Sequence, residues 1–161
     1  MDAKCEVAVP DVADVCSKER IQLRAEHIVV STENLSYEEC LLYFKDILQT
    51  EFPECSFREN VPVVELVGEL NATFKLYETR PYQAYKAEWG APYSFVIYKD
   101  NRVVAAMMIG ERRVVSRRVK YLISKMYMKK LQLPYIPFYT EFKNEVGYTV
   151  SRIAKHLNDS E

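Results

Sequence analysis

The chain has 161 residues, 48% hydrophobic and 28% charged, which is enough apolar side chain for one buried core and too little polar bias for an intrinsically disordered protein. Its formal net charge of −1 hides a division: residues 1–98 carry 9 Lys/Arg against 17 Asp/Glu, and residues 99–161 carry 13 against 6. That sorting leaves room for a basic face that binds polyanions and equally for acidic-on-basic self-association, while four Gly, seven Pro and no repeat at solenoid period exclude collagen-like, linker-like and repeat architectures.

Residues 1–19 mix Val, Ala, Asp and Lys around Pro10 without a clean period, so residues 1–30 read as an N-terminal arm, partly disordered, ahead of a single domain over 31–161. The opening MDAKCEVAVPDVADVC lacks the basic start and apolar core of a secretory signal, and no apolar run approaches the ~18 residues that span a bilayer. A cytoplasmic chain without membrane contact is expected. A short strand is predicted over 25–31. Ser36 stands three residues before Glu39 in the capping-box pattern, so a helix should follow, with Cys40, Leu41, Phe44, Ile47 and Leu48 on its apolar face and Glu51-Phe52-Pro53 at its end.

Residues 56–61 and Val63–Val67 read as extended. The stretch 68–90 is broken by Gly68, Pro81 and Gly90. Tyr93–Tyr98, a Lys99-Asp100-Asn101 turn and Arg102–Ile109 form the clearest pattern, an antiparallel hairpin whose second strand is apolar enough to be covered on both faces. From Val114 to Leu131 a basic helix is expected to turn Val115, Val119, Leu122, Ile123, Met126 and Met128 inward. A strand over 134–139 and a closing helix over 144–157, with Val146, Val150, Ile153 and Leu157 inward, complete the series.

The four cysteines (Cys5, Cys16, Cys40, Cys55) form no CxxC pair, and His27 and His156 stand in unrelated segments. Neither a zinc site, a redox motif nor a Ser/His/Asp triad is indicated.

The order of elements, the segment Leu133-Pro134-Tyr135-Ile136-Pro137-Phe138-Tyr139 and the downstream Asn144 resemble the PD-(D/E)XK, restriction-endonuclease-like superfamily, in particular small bacterial members related to very-short-patch-repair nucleases. The resemblance covers roughly residues 36–157 and implies an α/β fold with a mixed central β-sheet flanked by helices. It also implies a Mg²⁺ site built from a first-helix glutamate, an acid leading one hairpin strand and an E-x-K on the next, since hydrolysis needs carboxylates to hold a hard cation and a lysine beside the attacking water. The strand positions fall at Ser94, Met108 and Gly110, none of the required type. Residual acids are Glu38, Glu39 and Glu111; Glu39 is explained by the capping box, and Glu111 is followed by Arg112 and Arg113 where a lysine belongs.

Residues 102–130 hold nine Lys/Arg and one acid, Glu111. Phosphate neutralisation dominates non-specific nucleic-acid affinity, so Arg112, Arg113, Arg117, Arg118, Lys120 and Lys125 are the candidate binding residues, against the plainer reading of a solvated face. Tyr121, Tyr127 and Tyr135 offer rings for base stacking, with core packing the favoured role. The reading is a catalytically inactive nuclease-like domain that binds nucleic acid. Its rivals are a protein-interaction or homo-oligomerisation module on the same fold, and an active metal-dependent nuclease using migrated acids among Glu38, Glu65, Glu69 and Glu111.

Overall fold

The computed structural model describes residues 29–68 and 70–159. The expected arm lies outside them except for Val29 and Val30; Val29 is buried in the core and the Val30 carbonyl accepts the Val146 amide at 2.9 Å. Of the strand predicted over 25–31, only 29–31 are described, and they run without strand pairing. The Thr32 hydroxyl donates to the Phe142 carbonyl at 2.9 Å, so this entry to the domain is tied to the region around the start of the last helix by one backbone bond and the Thr32 side chain, without a strand ladder.

Helix α1 spans Tyr37–Glu51. Ser36 Oγ accepts the Glu39 amide at 3.1 Å and Glu39 Oε1 accepts the Ser36 amide at 2.9 Å, so two otherwise unpaired N–H groups of the first turn are satisfied reciprocally. Cys40, Phe44, Ile47 and Leu48 are buried as their spacing requires, joined by Tyr43.

Strand β1 (Ser56–Val61) follows, then a correction: Val63–Val67 is helix α2, not a strand. Pro62 sits at its N-cap and Gly68, at φ +72°, ends it in a conformation that costs a side-chain-bearing residue energy. The β-branched run is overridden because one helical turn buries Val63 in the core. The unreadable stretch beyond holds β2 (Asn71–Phe74) and β3 (Gln83–Lys86), a two-stranded antiparallel sheet, and a 3₁₀ turn at Ala87–Trp89.

The predicted hairpin is β4 (Tyr93–Lys99) and β5 (Arg102–Gly110), turning through Asp100 and Asn101 at φ +53° and +63°, as a two-residue loop matched to strand twist demands. After β5 come α3 (Val115–Lys130), β6 (Tyr135–Tyr139) and α4 (Val146–Asp159). The main sheet has the order β1-β4-β5-β6, with β1/β4 and β4/β5 antiparallel and β5/β6 parallel across the α3 connection. It is a mixed sheet flanked by helices, and β5 is covered on both faces as its composition implied. Phe95, Ile97, Ala105, Met107 and Ile109 meet α1 and Ile153 of α4 on one side; Val96, Ala106 and Met108 meet Tyr121, Ile123, Tyr127 and Met128 of α3 on the other. Each such large apolar side chain contributes about 1.5–3 kcal/mol by leaving water.

The inward stripe expected of α3 is wrong in its first half. Val115 is 67% and Val119 39% exposed, because the helix begins beyond the rim of the sheet and only from Tyr121 onward lies over it. At the β6 edge, Pro137 has no N–H to offer and its carbonyl accepts Arg152 Nη1 from α4, whose guanidinium also lies 4.7 Å from the Phe138 ring centroid. No helix among the described residues is long and apolar enough to cross a membrane.

Candidate functional site

A cleft of about 390 Å³ opens where α1, the β1 end, the β4–β5 hairpin and the first turns of α3 converge. Of the three strand positions named by the resemblance, Ser94 and Met108, where it expects acids, both line the cleft. Ser94 Oγ accepts the Ile109 amide at 2.9 Å, just past the last paired residues of the β4/β5 ladder, and the Tyr37 hydroxyl donates to the Ile109 carbonyl at 2.9 Å. Both polar groups of Ile109 are thus met by side chains from the cleft wall, which gives Ser94 a structural duty. The third position, Gly110, does not line the cleft. It backs the Tyr121 ring so closely that a Cβ there would lie 3.0 Å from Cζ.

The acids do not converge. Glu38 is exposed in the first turn of α1, Glu39 is held by its cap, Glu65 pairs with Arg58 at 2.7 Å, and Glu111 lies 3.6 Å from Arg117; Glu69 lies outside the described residues. Among the described residues the cleft has one acidic lining residue, Glu59, which the sequence reading overlooked and which pairs with Lys45 at 3.0 Å. No described group of three or more His, Cys, Asp or Glu is arranged to hold a metal ion. Mg²⁺ prefers an octahedron of oxygens, and one engaged hydroxyl, a thioether and one ion-paired carboxylate do not fit it.

What the cleft does gather is positive charge and phenol. Arg117 and Lys120 line it with Tyr37 and Tyr121. A hydrogen bond to Tyr121 holds the Arg117 guanidinium above its ordinary value, and burial, reinforced by Tyr121, pushes the Tyr37 phenol up, so it stays protonated near neutrality. Nearby Cys40 is no nucleophile: burial first, then Glu39 and Glu111, pushes its thiol up to about 11.

Tyr121 also lines a second groove of about 320 Å³ on the other side of α3, beside β6, with Arg112, Arg118 and Lys125. Five of the six predicted cations therefore border one of two clefts separated by Tyr121. Arg113 borders neither. The turn that carries it is pinned by Glu141, whose two carboxylate oxygens accept the Arg112 and Arg113 amides at 2.9 and 2.8 Å. Arg118 Nε donates to the Arg112 carbonyl at 3.1 Å, linking the turn to the helix. Of the tyrosines, Tyr127 is core, its hydroxyl meeting the Ala72 amide at 3.1 Å and the carbonyls of Leu70 and Tyr85. Tyr135 and the unforeseen Tyr139 are half-buried and line the second groove. Tyr37 and Glu59 were missed because nothing local marks them; they meet the site only through the packing of α1 and the pairing of β1 with β4.

No family model, curated protein or solved structure matches this chain.

Proposed function

We propose that this chain is a restriction-endonuclease-like domain without a catalytic metal site, which binds nucleic acid through Arg112 and the basic residues of α3. The observation that carries the reading is the distribution of cations: Arg117 and Lys120 at the cleft beside Ser94 and Met108, and Arg112, Arg118 and Lys125 at the groove beyond Tyr121. The element order from α1 through β1, β4, β5 and α3 to β6 supports it, being the order on which the resemblance rests. Chemically the domain offers fixed positive charge and hydrogen-bond donors, sufficient to neutralise phosphates and insufficient to activate water.

Titration of labelled duplex DNA, single-stranded DNA and RNA at low and moderate salt tests the reading. Affinity should fall steeply with salt, Arg117→Glu with Arg118→Glu should weaken binding at least about tenfold, and no cleavage should appear with Mg²⁺ or Mn²⁺. Absence of salt-dependent binding to all three sinks the proposal. Cleavage that disappears in Glu59→Ala or Glu111→Ala would instead establish the active-nuclease alternative.

A second reading, an interaction or oligomerisation module, is favoured by one observation: Phe142 and Tyr148, 50% and 56% exposed, flank an open groove of about 550 Å³ between β6 and α4. It predicts association in light scattering that Phe142→Ser weakens, and a strictly monomeric chain counts against it.

A further inference from the structure

The two basic clefts differ in what accompanies their charge. In the first, Glu59 is present, Glu111 faces Arg117, and the phenols of Tyr37 and Tyr121 are engaged with Ile109 and Glu111. None of the residues lining the second groove is acidic, and beside Arg112, Arg118 and Lys125 it presents Tyr135 and Tyr139 on β6, both partly buried, with Tyr135 also packed against the core. Tyr135 and Tyr139 stand four residues apart, so they project to the same side of the strand, roughly 13 Å from end to end. On α3, Arg118 and Lys125 are seven residues apart, two helical turns, which puts them on one face about 10 Å apart along the axis. A row of rings thus runs alongside a row of cations.

The arrangement is also held in place. Glu141 fixes the amides of Arg112 and Arg113, and the Arg118 Nε hydrogen bond to the Arg112 carbonyl orients that side chain from the same turn. The Arg112 guanidinium lies 5.9 Å from the Phe142 ring centroid, which limits its reach into solvent. Tyr135 is braced by the buried Tyr93 ring, centroids 6.4 Å apart.

We infer that the groove between α3 and β6 takes unpaired nucleotides, the phosphates lying along Arg112, Arg118 and Lys125 and the bases stacking on Tyr135 and Tyr139. This rests on the nucleic-acid reading and narrows it to single strands. Paired bases have both π-faces occupied within the helix and offer the tyrosines nothing, whereas unpaired bases offer a face each and tolerate any sequence. The acid-free lining rejects acidic peptides no better than nucleic acid on charge alone; the rings make the difference.

The full chain is titrated, at two salt concentrations, with a labelled oligothymidylate of about a dozen nucleotides, its duplex form with oligoadenylate, an inorganic polyphosphate of matched charge and a polyglutamate. The expected result is oligothymidylate binding about tenfold or more tighter than polyphosphate or duplex at equal salt. Tyr139→Leu should erase that margin, Tyr139→Trp should keep it, and Arg118→Ala should weaken every anion while flattening the salt dependence. Crosslinking of a 4-thiothymidine oligonucleotide to unaltered protein, with peptide mapping, gives a readout that does not depend on the variants folding and should label the peptide carrying Tyr135 and Tyr139. Equal affinity for oligothymidylate and polyphosphate, preference for duplex or polyglutamate, or crosslinks confined to other peptides overturns the inference while leaving nucleic-acid binding standing. Failure of every nucleic acid to bind removes both.

Discussion

Gly110 is the position at which the resemblance would place the lysine of E-x-K, and its neighbour explains why a side chain is resisted there. The Tyr121 ring occupies the volume a Cβ needs, and Tyr121 is in turn held by the Glu111 amide, 3.2 Å from its hydroxyl. Gly110→Ala should therefore cost about 1–3 kcal/mol in denaturant unfolding, the range for overpacking a filled site, and an unchanged midpoint would show that Tyr121 yields freely. Glu141 supplies a second test at this scale. Burial alone would raise its carboxyl, but hydrogen bonds from the Arg113 and Arg112 amides prevail and hold it below the usual carboxylate range. A carboxylate lowered on folding contributes stability that is complete above its unfolded pKa and is lost as pH falls through the folded one. The turn before α3 should thus loosen only under acid below the ordinary carboxylate range. Amide exchange of Arg112 and Arg113 followed down in pH checks this: Glu141→Gln should remove the acid-dependent step, and a step that persists in the variant contradicts it.

Among the elements, the small β2–β3 sheet hangs on one phenol. Tyr127, buried in α3, accepts from the Ala72 amide on β2 and reaches the carbonyls of Leu70 and of Tyr85 on β3, while its ring meets Phe74 edge-on at 5.7 Å. Tyr127→Phe keeps the ring and strands these backbone groups, so a loss of about 1–3 kcal/mol is expected. Proteolysis should then open first between residues 70 and 86; unaltered cleavage there would mean that packing alone secures the sheet. The same elements show what a one-dimensional reading can reach. Helix α1, the β4–β5 hairpin and β5's burial were legible because a capping box, a turn sequence and an apolar run each act within a dozen residues. Helix α2 and the β2–β3 sheet were not, because Val63 chooses its conformation by what it buries and Tyr127 acts 42 to 57 residues away from its partners. The outward first turns of α3 were misread for a related cause: period tells which residues share a face, not where the sheet beneath that face ends.

For the molecule as a whole, charge and shape were legible to different depths. The basic excess of residues 102–130 is plain in the sequence, whereas its division by Tyr121 into two clefts depends on how α3 crosses β5 and β6. A salt titration measures how many of those cations meet phosphate together. Simultaneous use of both clefts on a single strand should give a log–log slope near −0.7 for each phosphate neutralised, and Lys125→Ala should reduce its magnitude by about 0.7; an unchanged slope would exclude Lys125 from the contact. The two rims of the sheet, finally, are unequal. At β6, Pro137 supplies no donor and Arg152 already occupies its carbonyl, so an incoming strand meets an interrupted template. At β1, Arg58 and Glu59 stand exposed along the outer strand, with their charges spent on Glu65 and Lys45. Edge-to-edge pairing of the main sheet is therefore opposed at both rims by different means, a missing donor at β6 and two ion pairs at β1, which favours a discrete molecule over a strand-added polymer.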